Sequence, residues 1–164
     1  MSYKILKVKL NEVTGLTINY TNLDGSKETI LKIQKQDIID EFYIVWRDLE
    51  LETREVIDDA LNPKIDSVIL YGITLKPINN NYQNNPVGFV ISCGFDIDKV
   101  RYNFNTPYYS LMLKAEGETL NFKTLRNLDA LLAVTAEIIK GKRAQLDLIN
   151  DTILNEEVQN EHLH

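Results

Sequence analysis

Residues 16–33 read LTINYTNLDGSKETILKI, and this stretch indicates the architecture most directly. Two segments in which apolar and polar residues alternate flank a turn-rich centre that contains Asp24-Gly25. Asp-Gly is a frequent turn pair of β-hairpins because it adopts the positive φ angles of a tight turn. Residues 3–10 alternate in the same way, beyond a second turn-rich stretch at residues 11–15. The sequence therefore predicts an N-terminal meander of three antiparallel strands.

An apolar stripe at helical spacing follows the meander. Its members are Ile38, Ile39, Phe42, Val45, Trp46 and Leu49. Asp37 is the predicted N-cap of this helix. The pattern falters at residues 50–53 and resumes at Val56, so the sequence predicts two short helices or one kinked helix that ends before Pro63. Because Trp46 lies on the stripe, we expect it in the core.

The second half of the chain alternates strands with one long helix. Strands are predicted in residues 65–78, 87–95 and 100–105. A helix is predicted from an N-cap at Asn121 to a C-cap at Gly141. The fold class is therefore α+β, in which an antiparallel sheet is packed by a kinked helix and a long C-terminal helix.

Length and composition are those of one globular domain. The chain has 164 residues, of which 44% are apolar and 26% charged, with a net charge of −6. We expect residues 1–144 to form the domain and residues 145–164 to be an acidic tail or a helix extension. The tail beyond Asn150 has four acidic residues and no Lys or Arg, which leaves the rest of the chain nearly neutral on average. Such a body lacks the clustered basic residues of DNA-binding proteins, which argues against nucleic acid as a partner.

The chain shows no sign of export or membrane insertion. No apolar run approaches the roughly 18 residues that span a bilayer. The N-terminus alternates like a strand and has no apolar signal-peptide segment. We expect the protein in the cytoplasm, and the sequence does not predict its oligomeric state.

Catalytic groups are sparse. The two histidines, His162 and His164, lie at the C-terminus, and Cys93 lies within an apolar strand that favours a structural role. Asp96 and Asp98 could hold Mg²⁺ on one strand face, but Asp-x-Asp at the end of a strand is more often a turn. We therefore expect a non-enzymatic protein without a metal or cofactor.

An aromatic cluster near residue 102 suggests contact with single-stranded nucleic acid. Its candidate members are Arg101, Tyr102, Tyr108 and Tyr109. Bases can stack on exposed aromatic rings while phosphates pair with basic side chains. The alternative is core packing, because Val100, Tyr102 and Phe104 share one face of a strand. Both interpretations are open from the sequence.

The segment after the last helix carries a candidate docking motif. Gln145, Leu146, Asp147, Leu148 and Ile149 resemble the pentapeptide QL[SD]LF, with which bacterial replication and repair proteins dock onto the β sliding clamp. The resemblance implies that the Gln side chain enters a small polar site. It also implies that the leucines and the last side chain fill an apolar groove while the chain runs extended.

An alternative for the same residues is helical. Leu146, Ile149, Ile153 and Leu154 recur at helical spacing, so the last helix could continue and pack this face inward. Ile149 stands where the pentapeptide prefers Phe, which keeps an apolar contact but reduces its area.

The order of features resembles an uncharacterised family of small tailed-phage and prophage proteins. The matching pieces are Asp24-Gly25, Phe42, Phe104-Asn105-Thr106-Pro107 and Ile139-Lys140-Gly141-Lys142-Arg143-Ala144-Gln145. The resemblance implies a phage or prophage accessory protein that acts in replication or repair through a protein partner, with the sliding clamp as first candidate. The alternatives are a phage inhibitor of a host or anti-phage defence protein, and a single-stranded nucleic-acid binder.

Overall fold

The protein has a mixed α+β fold. In this computed structural model the strands are β1 (Tyr3–Asn11), β2 (Gly15–Asn22), β3 (Glu28–Ile33), β4 (Ser67–Pro77), β5 (Val87–Ile97), β6 (Val100–Asn105) and β7 (Tyr109–Ser110). The helices are α1 (Asp40–Ala60) and α2 (Leu128–Ile139). The structure describes residues 3–25, 27–60, 66–77, 87–106, 109–110 and 127–144.

The strands form one antiparallel sheet in the order β3-β2-β1-β4-β5-β6, and the short β7 pairs with β5 beside β6. The predicted N-terminal meander is confirmed as β1, β2 and β3. β1 pairs with β4 only where Lys7–Lys9 faces Gly72–Thr74. Beyond Lys9 the pairing of these two central strands stops, which opens the sheet next to α1.

One face of the sheet carries the core and the helices. α1 packs on β4 and α2, and α2 also contacts β1. Strand residues on this face alternate with mainly polar residues on the other face, where Ile30, Ile69 and Val90 are apolar exceptions. The largest fully buried side chains are Phe42, Phe89, Leu16, Ile18, Leu49, Ile57, Leu70, Ile73, Ile91, Leu131, Ile138 and Val8.

α1 is continuous where the sequence pattern falters. Thr53 occupies the core position between Leu49 and Ile57, and its hydroxyl donates to the carbonyl oxygen of Leu49 at 2.8 Å. The buried stripe therefore keeps the helical period through residues 50–53, with a satisfied threonine in place of an aliphatic residue. The prediction of two separate helices is wrong, whereas Trp46 is buried as predicted, with 4% of its surface exposed.

The start of α1 differs from the prediction. Asp37 belongs to a 3-10 turn, Lys35–Asp37, and Ile38 after it is extended at φ −76° and ψ 126°. The helix begins at Asp40. Because Ile38 and Ile39 are both buried, the extended link inserts two neighbouring side chains into the core before the helix starts.

α2 is shorter in the described part of the chain than the predicted helix. It begins at Leu128, and the predicted N-cap Asn121 lies outside the described residues. Leu128, Leu131, Ala136 and Ile138 are its buried apolar residues, while Leu132 and Ile139 pack against the core only partly. Neither described helix is long and apolar enough to cross a membrane.

The turn at Asp24-Gly25 also differs from expectation. Gly25 has the expected positive φ, +70°, and its amide donates to the Asn22 carbonyl, which closes a four-residue turn. This turn is part of a longer loop between β2 and β3, so Asp24-Gly25 does not form a two-residue hairpin loop. The tight hairpin lies between β5 and β6, where Ile97 pairs with Val100 and the two loop residues Asp98 and Lys99 have φ angles of 50° and 64°.

Candidate functional site

Backbone hydrogen bonds fix the path of the chain between α2 and the candidate docking motif. Gly141, as predicted, is the residue just after the helix cap, with a φ of +115°. The Gly141 amide donates to the Ile138 carbonyl at 3.0 Å, and the Lys142 amide donates to the Glu137 carbonyl at 3.1 Å. These two bonds are the Schellman motif, which satisfies the last carbonyls of a helix and turns the chain away from its axis.

Residues 140–144, here the anchor segment, then bind back to the start of α1. The Ala144 amide donates to the Asp37 carbonyl at 2.9 Å. Lys142 Nζ lies 3.5 Å from Glu41 Oε1, and a backbone hydrogen bond together with this cation lowers the pKa of Glu41. The anchor segment therefore ties the end of α2 to the 3-10 turn and the first turn of α1.

Arg143 completes the anchor. Its guanidinium donates to the carbonyl oxygens of Ile138 and Lys142, both at 2.8 Å. A cation at a helix C-terminus interacts favourably with the free carbonyls and the helix dipole. Gly141, Lys142, Arg143 and Ala144 thus have structural roles that explain the composition of this segment.

The candidate docking residues Gln145, Leu146, Asp147, Leu148 and Ile149 lie outside the described residues. The described chain ends at Ala144, whose amide is bonded to Asp37. α2 itself ends at Ile139. The motif is therefore not reached by an unbroken continuation of α2, which was the premise of the helical alternative.

Arg101 stands in a polar network on the sheet face away from the helices. Its guanidinium binds both carboxylate oxygens of Asp96 and donates to the Tyr71 hydroxyl at 3.2 Å. The Ser67 hydroxyl also donates to Asp96 at 2.8 Å. The bonds from Arg101 and then Ser67 hold the pKa of Asp96 at about 2.

Tyr102 lies on the opposite face of β6 from Arg101. Its ring stacks on Phe95 with centroids 5.8 Å apart, and Phe104 meets Phe95 edge to face. Tyr102 and Val100 are about half exposed, at 49% and 51%, so core packing of this strand face is incomplete. The structure thus separates Arg101 from Tyr102, while Tyr108 and the side chain of Tyr109 lie outside the described residues.

The two aspartates considered for a metal are not brought together. Asp96 is engaged by Arg101 and Ser67, and Asp98 lies in the hairpin turn, as the sequence favours. Among the described residues, no three His, Cys, Asp or Glu side chains form a group that could hold a metal ion. Cys93 is buried, and burial raises the pKa of its thiol to about 11, which disfavours the thiolate.

Comparison with protein-family models, curated proteins and solved structures found no match for this chain.

A cleft of about 980 Å³ opens where β1 and β4 separate. Its walls come from the end of β1, from α1 and from the bulged part of β4, which includes Tyr71. The Glu50 carboxylate accepts a hydrogen bond from the Leu70 amide at 2.9 Å, so α1 satisfies a strand donor that β1 does not reach. Trp46 lines this cleft but is almost fully buried.

Two features were missed from the sequence. In the sequence, only Gly141 indicates the anchor segment. The contacts with Asp37 and Glu41 join residues about a hundred positions apart, so the sequence does not predict them. The position of Tyr71 has no sequence signal, because a bulge in β4 between Leu70 and Gly72 determines where its side chain points.

Proposed function

We propose that this chain is a non-enzymatic phage or prophage accessory protein that docks onto a bacterial sliding clamp, in the host cytoplasm, through Gln145–Ile149. The main support for this proposal is the way in which α2 ends. The helix stops at Ile139 in a Schellman motif, and the anchor segment delivers the chain to Ala144 at a fixed point on the domain.

This geometry suits a tethered docking peptide. A clamp-binding pentapeptide is extended when bound, so it must not be the interior of a packed helix. Gly141 interrupts the helix before the motif, and the Ala144 bond to Asp37 holds the chain immediately ahead of Gln145. A short distance between a rigid domain and its binding peptide limits the freedom that is lost on docking.

Binding of the full chain to purified bacterial sliding clamp tests this proposal. We expect measurable affinity in surface plasmon resonance, lost when Gln145, Leu146 and Leu148 are all replaced by Ala. A synthetic Gln-Leu-Asp-Leu-Phe peptide should compete with the wild-type chain. Ile149→Phe should tighten binding, because a ring buries more apolar area than the isoleucine side chain.

The matched control is a triple alanine variant of exposed residues on the domain, Val13, Leu23 and Ile44. It should bind the clamp as the wild type does. An absence of wild-type binding, or equal binding by both triple variants, would refute the docking proposal.

A second candidate function is inhibition of a host or anti-phage defence protein. The observation that favours it is the pair Val100 and Tyr102, each about half exposed on the edge strand β6 beside Phe95. Exposed apolar groups of this kind occur at protein–protein interfaces. Tyr102→Ala would weaken such an interaction without affecting binding to the clamp.

A further inference from the structure

The sheet face opposite the helices carries one continuous polar row. The paired residues run Lys32, Thr17, Lys9, Gly72, Ser92 and Asn105, one from each of the six strands. This row contains no acidic and no large apolar side chain. With strands about 4.8 Å apart, it extends about 24 Å across the sheet.

Basic residues on this face are concentrated in the N-terminal meander. Lys9 and Lys32 are exposed and lie on either side of Thr17, and Lys7 shares their face one row away, opposite Asn19 and Thr74. Glu28 is the acidic residue of β3, and it accepts a hydrogen bond from Asn19. The meander face therefore has an excess of positive charge.

The helical layer has the opposite charge. α1 contains eight acidic residues and two arginines. Among the described residues, α1 is thus acidic, whereas the meander face on the other side of the sheet has an excess of positive charge. This distribution of charge among the described residues would repel a polyanion from α1 and attract it to the meander face.

The same face presents an aromatic ring beside a cation. Tyr71 lies across Gly94, where an added Cβ would come within 2.5 Å of the tyrosine oxygen. Arg101 contacts this site as well and donates to the same hydroxyl, while Asp96 fixes the guanidinium. Tyr71 is partly exposed, and the end of its ring that carries the hydroxyl lies over Gly94 and is held there by Arg101.

We propose that the sheet face opposite α1 and α2 binds single-stranded nucleic acid, with Lys9 and Lys32 contacting phosphates and Tyr71 stacking on a base. Aromatic rings and basic side chains on an open sheet are the combination that single strands recognise, because their bases are free to stack. A duplex keeps its bases stacked internally and cannot use Tyr71. An acidic protein could form ion pairs with the lysines, but its binding would not involve an exposed aromatic ring.

Fluorescence anisotropy with a labelled 12-nucleotide oligo(dT) tests the proposal on the full chain. We expect binding at 50 mM salt that weakens as salt rises. The double variant Lys9→Gln, Lys32→Gln should weaken binding at least tenfold. It should also reduce the slope of log affinity against log salt by about 1.4, because each phosphate contact to a single strand contributes about 0.7. The matched control, Lys35→Gln with Lys140→Gln, removes the same charge from exposed positions outside the sheet and should leave the slope unchanged.

The ring is tested separately. Tyr71→Leu should weaken oligonucleotide binding about tenfold, whereas Tyr71→Phe, which keeps the ring and loses the bond to Arg101, should stay within about threefold of wild type. Equal losses in the two variants would mean that the hydroxyl network, and not stacking, matters, and would overturn the role of Tyr71. Circular dichroism confirms that each variant is folded.

Three outcomes would overturn the proposal as a whole. The first is no oligonucleotide binding at 50 mM salt. The second is equal affinity for a 12-base-pair duplex, which would show nonspecific attraction to phosphate. The third is binding of poly-glutamate with the same sensitivity to the lysine variant, which would assign the face to an acidic protein partner. The triple alanine variant of the docking motif should keep its oligonucleotide affinity, so this test is independent of clamp binding.

Discussion

At the scale of single residues, hydrogen bonding determines which charged groups matter to stability. Asp96 is held ionised by Arg101 and Ser67, and its pKa of about 2 lies below the ordinary value of 3.8. A carboxyl with a lowered folded pKa stabilises the fold above its unfolded pKa, and this contribution is lost as the pH falls through the folded value. The window for Asp96 is therefore between about pH 4 and pH 2.

Asp96→Asn should lower the melting temperature at pH 7, because it removes the charged partner of Arg101. The difference between wild type and variant should shrink as the pH falls from 4 toward 2, where the wild-type carboxylate becomes protonated. Thermal denaturation across this range measures it. Ser67→Ala removes one bond to Asp96 but leaves the ion pair, so it should show a smaller effect. A pH-independent difference for Asp96→Asn would contradict the pKa assignment.

At the scale of secondary-structure elements, the sequence predicted helices and strands where their periodicity was uninterrupted. The sequence predicted a break or a kink at residues 50–53 because Thr53 does not look like a core residue, although it is fully buried with its hydroxyl bonded. The predicted start of α1 was wrong because Ile38 and Ile39 match the apolar spacing of the helix, although they precede it and Ile38 is extended. In both cases tertiary packing, and not local preference, determined the conformation.

Trp46 on α1 should be a major contributor to stability. It stacks on Phe42 with centroids 5.5 Å apart and is almost fully buried. Trp46→Ala should lower the free energy of unfolding by about 3–5 kcal/mol, because it leaves a cavity in the core. Ile44→Ala, two residues away on the same helix and 61% exposed, is the control and should change it by less than about 0.5 kcal/mol. Urea denaturation measures the free energy of unfolding of both variants. A loss for Trp46→Ala as small as that for Ile44→Ala would show that the core does not depend on Trp46.

The end of α2 depends on Gly141. An added side chain would meet nothing within 4 Å, so the effect of Gly141→Ala comes from the backbone alone, at a φ of +115°. We expect the free energy of unfolding to fall by about 1–2 kcal/mol, since L-residues are strained in left-handed conformations. Gly141→Asn should cost less, as Asn tolerates this region better than Ala. Equal stability of wild type and Gly141→Ala, measured by urea denaturation, would mean that the Schellman motif is dispensable.

At the scale of the whole molecule, the sequence predicted the fold class and the meander but not the arrangement of charge. The average over the chain body is close to neutral, whereas α1 is strongly acidic and the meander contributes lysines to the opposite side. Neighbouring residues of a strand point to opposite faces, so Arg101 and Tyr102 could not form one surface. The order of the strands, which assembles Lys32, Lys9 and Ser92 into one row, required the structure because it depends on long-range pairing.

The anchor segment links the fold to the proposed function. The described core is assembled from β1–β6, α1 and α2, and the last backbone bond of the described chain joins Ala144 to Asp37. A fragment of residues 1–144 should therefore melt within about 2 °C of the full chain, a difference below about 1 kcal/mol. It should lose binding to the sliding clamp and keep binding to oligo(dT). A large fall in melting temperature, measured by circular dichroism, would instead place residues 145–164 in the core. Side chains packed there could not also leave to dock, and the clamp-binding proposal would fail.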